Sequence, residues 1–187
     1  MLGIPFLKTL PKTRQPSARK IARPTLNETL REARTALDSR QPSRAHWLVT
    51  PWLEEKDCPA EVRLIAGRAL AAQGRYAEAM GHFEIYVAGN PDSVDGLICA
   101  ALTAARARNI TRAVDWFNLA ARALTGRAKT AIEPLLSSNP YDPVAIEDMV
   151  ADVEAHPEDK ERALALACAL GRAGHFRAVE KFLPAFY

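Results

Sequence analysis

Residues 63–91 read RLIAGRALAAQGRYAEAMGHFEIYVAGNP, and the spacing of their small and aromatic residues decides the fold. Apolar residues recur at helical spacing on both sides of Gly74, which predicts two helices joined by a tight turn. Gly67 in the first helix and Ala79 in the second stand where the two would cross, and only a small side chain there lets the backbones approach. Leu70 and Tyr76 flank the turn. Phe83 is expected to fill the space against whatever follows, and Pro91 stops the second helix because it has no backbone donor to continue it.

The pattern repeats when this frame, which begins at Ala60, is moved by 34 residues. From Val94 the crossing positions become Ala101 and Ala113 and the aromatic becomes Phe117, although Arg108 replaces the turn glycine. From Leu26 they are Ala33, Ala45 and Val49. From Ala128 the match decays to Leu135 and Glu147, and SSNPYDP (residues 137–143) reads as a longer turn between two helices. A last unit near Lys160 recovers Ala167, Leu170, Gly174 and Phe176. The expectation is an all-α chain with units near 26–59, 60–93, 94–127, a degenerate 128–159, and 160–187. Breaks are expected near Pro42, Pro59, Pro91 and Pro157, and further turns at Gly74, Arg108 and Gly174.

These positions resemble the tetratricopeptide repeat, with a small residue at position 8, Gly-x-Tyr at the turn, Ala at 20, an aromatic at 24 and Pro at 32. The resemblance implies a right-handed superhelical array of antiparallel helix pairs, an α-solenoid whose first helices line a concave groove. It further implies that positions 2, 5, 9, 12 and 13 of each unit face a partner peptide or helix. In the strongest unit these are Glu61, Leu64, Arg68, Ala71 and Ala72, and in the next Asp95, Ile98, Leu102, Ala105 and Arg106. Leu64, Ile98 and Leu102 would make an apolar floor, more exposed than their hydrophobicity suggests. Heat-shock co-chaperones of this family hold a peptide carboxylate with Lys and Asn at the fifth and ninth positions. Leu64 and Arg68 stand there in this chain, so that activity does not carry over.

Composition narrows the function classes. The chain has 187 residues, 48% hydrophobic and 25% charged, with 34 alanines against nine glycines, the balance of a helical globular protein. No apolar run reaches the roughly 18–20 residues of a membrane helix. Three widely spaced cysteines, Cys58, Cys99 and Cys168, argue against a disulfide framework or a zinc cluster and for a reducing, cytoplasmic setting. The net charge of +3 hides an asymmetry, because residues 1–24 hold Lys8, Lys12, Arg14, Arg19, Lys20 and Arg23 and no acid, leaving 19 basic and 22 acidic side chains elsewhere. Prolines 5, 11, 16 and 24 prevent a continuous helix there, so residues 1–25 read as a basic arm attached to a repeat domain at 26–187. The arm suits contact with a partner or an anionic surface and is compositionally compatible with organelle targeting. The mildly acidic body disfavours nucleic acid.

No catalytic constellation emerges. His46, His82, His156 and His175 have no partner at metal-ligand spacing, and residues 171–174, GRAG, lack the Lys-Ser/Thr ending of a phosphate loop. Cys99 and Cys168 lie among alanines and leucines, as buried thiols do. Trp47, Trp52 and Trp116 are expected in the core, with one of Trp116 and Phe117 partly exposed. No cofactor and no metal are expected. The resulting reading is a non-catalytic protein–protein interaction module, a scaffold, adaptor or assembly factor. The alternatives are a secretion-type chaperone holding a hydrophobic client segment and an RNA-binding helical repeat. The apolar ending FLPAFY (residues 182–187) suggests self-association or burial by a partner, since repeat arrays usually end in a polar helix.

Overall fold

A computed structural model describes residues 24–125 and 142–183. The described residues form nine helices and no strand, so the chain is all-α. They are α1 (Leu26–Asp38), α2 (Pro42–Leu53), α3 (Ala60–Ala72), α4 (Tyr76–Gly89), α5 (Val94–Arg106), α6 (Ile110–Thr125), α7 (Pro143–Ala155), α8 (Lys160–Arg172) and α9 (Phe176–Phe182). The expected breaks fall where proline chemistry places them. Pro42 is the first residue of α2, Pro59 precedes α3, and Pro91 and Pro157 sit in the turns before α5 and α8.

Polar side chains start several of these helices. Thr25 opens α1 with a capping box: the Glu28 amide donates to Thr25 Oγ1 at 3.3 Å, and the Thr25 amide donates to Glu28 Oε2 at 2.8 Å. Ser93 caps α5, Asp142 caps α7 and Asp159 caps α8.

The 34-residue period is written into the backbone at the other ends. Arg40, Gly74 and Arg108, each 34 residues after the last, all adopt positive φ, at 55°, 78° and 61°. Each closes the same pair of hydrogen bonds. The Gly74 amide reaches the Ala71 carbonyl and the Arg75 amide reaches Leu70, and the matching donors are Arg40 and Gln41, then Arg108 and Asn109. The motif returns at Gly174 (φ 82°), two residues short of two further periods. Arginine therefore occupies a left-handed position that glycine adopts at less cost.

Each helix from α2 to α6 packs on the one before it, and short connections fold neighbours back on each other. Alternate helices also touch, α1 with α3 and α3 with α5. Among the described residues α8, not α7, packs on α6 and on α5, while α7 rests on α8. Leu135 and residues 137–141 of the expected long turn lie outside the described residues. Glu147 is exposed on α7, whose one buried residue is Met149.

Glycines seat aromatic rings at the helix crossings. A Cβ on Gly96 would collide with Tyr86, and one on Gly171 would come within 2.4 Å of the Phe117 ring. A Cβ on Gly67 would stand 3.0 Å from Phe83, which packs on its own pair and belongs to the buried cluster that continues into α5. Tyr86 and Phe117 make the forward contacts. Two buried clusters result. One joins α1 and α2 to the first half of α3, and the larger runs from Leu70 to Leu183.

Candidate functional site

The residues expected to line one groove take different roles. On α3, Glu61 is exposed and accepts from Arg34 of α1 at 2.9 Å, Leu64 and Arg68 are half-buried, Ala71 is buried and Ala72 is exposed. On α5 the expectation of an exposed floor is overturned: Ile98 and Leu102 are both 0% exposed. Ala105 is half-buried. The polar edge is closed as well, since Asp95 pairs with Lys160 of α8 at 3.2 Å and Arg106 with Glu180 of α9 at 2.8 Å. Residues 96–104 are buried without interruption, because α3, α4, α6 and α8 surround α5. A helix apolar all round belongs inside, and here the chain's own last helices enclose it.

The basic-arm residues Lys8, Lys12, Arg14, Arg19, Lys20 and Arg23 lie outside the described residues. Of the apolar C-terminal stretch, Phe182 is half-buried and Leu183 is buried, and residues 184–187 lie outside.

The tryptophans correct a second expectation. Trp47 is 72% exposed and Trp52 is half-buried. Trp116 and Phe117 are both buried, with the Arg112 guanidinium 4.8 Å from the Trp116 ring centre. Trp47 stands on a face of α2 that no described helix covers. Pro51, one helical turn later and also exposed, has no N–H for the Trp47 carbonyl, which only a solvated face tolerates. Ile85, Ile110, Leu119 and Val144 are also exposed. Ile85 and Leu119 occupy the same place in successive 34-residue frames, so the period itself could have singled them out.

Among the described residues no group of three His, Cys, Asp or Glu side chains could hold a metal ion. No described helix is long and apolar enough to cross a membrane. A hollow of about 230 Å³ sits over the Asp95–Lys160 pair at the α5–α8 seam, with Ser93, Leu124 and Leu164 in its wall. Ser93 Oγ in its wall is already engaged, by the Tyr86 hydroxyl at 3.0 Å and by the Gly96 amide, which donates to it at 3.3 Å. Burial pushes the Cys99 thiol up to about 11 and the Cys168 thiol to about 12, which leaves both protonated and unreactive at neutral pH. Cys58 is half-buried and raised less far, also by burial. At pH 8 a maleimide should therefore label one thiol per native chain, and the other two only in denaturant. Rapid native labelling of Cys99 or Cys168 would contradict their burial.

No protein-family model matches the chain, and neither does any curated protein sequence.

Proposed function

We propose that this chain is a non-catalytic protein–protein interaction module, a superhelical array of tetratricopeptide-like helix pairs that takes a partner's extended peptide or helix along α1 and α3. Support for the array comes from the left-handed turn residues at 40, 74 and 108, and from the contacts between alternate helices. The observation that carries the functional reading is the contrast between equivalent positions on α3 and α5. Glu61, Leu64 and Arg68 keep accessible surface, whereas Asp95, Ile98, Leu102 and Arg106 are engaged by the C-terminal helices or buried. Leu64 then offers an apolar contact beside charged neighbours, the mixture that fixes a helix or strand by one anchor and a polar rim.

The test is a peptide-display selection on the purified chain, followed by affinity measurements on Leu64→Ser and Trp47→Ser variants. Loss of a well-packed leucine contact should weaken binding by about tenfold, equivalent to ~1.4 kcal/mol. Selected peptides that ignore Leu64→Ser and lose affinity with Trp47→Ser would move the recognition surface to the outer face of α2.

A further inference from the structure

The two buried clusters divide within α3, and each of the two helices that pack on it as chain neighbours, α2 and α4, carries a histidine. His46 comes from α2 and His82 from α4, both half-buried. His82 Nδ1 is buried and has no hydrogen-bond partner. The charges that act on His46 are Arg75, the residue before α4, and Glu78 of α4; those that act on His82 are Arg63 of α3, His46 and Glu78. Glu78 is the one carboxylate among them, and Arg75 already holds it with two hydrogen bonds, Nε to Oε1 at 2.7 Å and Nη2 to Oε2 at 2.5 Å. A proton arriving on His46 thus meets Arg75, and one arriving on His82 meets Arg63 and His46, with the arginine-bound Glu78 as the one opposing charge on each. On His82 Nδ1 it would also create a buried donor with nothing to receive it.

We propose that His46 and His82 form an acid-sensitive latch, whose protonation releases the α1–α2 pair from α3 while the larger core from α4 to α9 stays folded. Both histidines have pKa values below the ordinary 6.5, first because burial disfavours the charged ring and then because of the neighbouring cations. A ring whose folded pKa is depressed favours folding while neutral. Its contribution is complete above about pH 6.5 and is lost as pH falls through the unfolded value toward the folded one. The carboxylates of Glu28 and Asp159 lie below their ordinary values, so they remain charged through this window and do not confuse it. The larger core contains no equivalent pair, since His156 and His175 are both exposed.

The experiment is hydrogen–deuterium exchange on the full chain at pH 7.5 and 5.5, corrected for the intrinsic pH dependence of exchange. Protection in α1 and α2 should fall by about fivefold or more, while protection in α5 and α6 changes little. The His46→Gln/His82→Gln variant should lose this difference between the two pH values. Ring-proton NMR of the unaltered chain gives a second measurement, independent of whether the variant folds: both histidines should titrate below pH 6.5, together with the loss of protection. Uniform loss across all helices, an unchanged response in the double variant, or histidines titrating at or above 6.5 would each overturn the proposal.

Discussion

Replacing Phe117 with alanine should destabilise the chain by about 3–5 kcal/mol, the cost of emptying a fully enclosed aromatic site. Phe117 is 0% exposed and lies over Gly171 of α8, with its ring stacked on Phe176 of α9 at 6.1 Å between centres and 17° between planes. It joins α6 to the last helix pair. Gly171 has no side chain to expand into the vacated volume, so the site collapses poorly and the upper part of the range applies. The loss should be uneven along the chain. Residues 142–183 should become protease-sensitive at denaturant concentrations where α1–α4 still resist, because α8 reaches the rest through α6 and α5. Urea unfolding followed by circular dichroism gives the total, and cleavage mapping gives its place. A cost below about 1 kcal/mol would mean that α8 does not sit on α6 in solution. Gly171→Ala approaches the same contact from the other side and should also destabilise, by about 1–3 kcal/mol, because the added methyl overlaps the ring.

The crossing residues are legible in the sequence because helices adjacent along the chain determine them. Ala33, Ala45, Val49, Ala79, Phe83, Ala101, Ala113 and Phe117 recur at 34-residue spacing, and all are 0% exposed. The turn at Arg108 is legible for the same reason: its register survives although glycine is gone, and Arg108 accepts φ 61°. What the local pattern cannot carry is the environment supplied by distant segments. Ile98 and Leu102 have the spacing of groove residues, yet both are buried on a helix that α8, from about 65 residues later in the chain, also packs against. The ion pairs Asp95–Lys160 and Arg106–Glu180 are separated by 65 and 74 residues, and neither partner predicts the other. Trp47 fails in the opposite sense. Its hydrophobicity argues for the core, yet it stands on a face of α2 that no described helix covers. Composition reports how much apolar surface a helix presents, whereas topology decides which of it is covered.

Leu102→Ala and Leu64→Ala should separate the core from the recognition surface. Leu102 is 0% exposed at the centre of α5, and its truncation should cost about 2–5 kcal/mol, or roughly 4–20 °C in Tm for a domain of this size. Leu64, half-buried against the edge of the larger cluster, keeps solvent as an alternative neighbour. Its truncation removes less buried area and leaves no closed cavity, so about 1 kcal/mol is expected. Binding of a selected peptide should show the reverse order. Leu64→Ala should weaken it, while Leu102→Ala, measured well below its melting temperature, should leave it nearly unchanged. The two leucines stand in equivalent halves of the same pattern, on helices with similar composition, so intrinsic helix propensity cannot produce the difference. It has to come from the helices packed around α5, which include α8 from the end of the chain beside α4 and α6. If Leu102→Ala proves mild for stability and severe for binding, the last helix pair leaves α5 in solution, and the groove extends across α5 as its residue spacing first suggested.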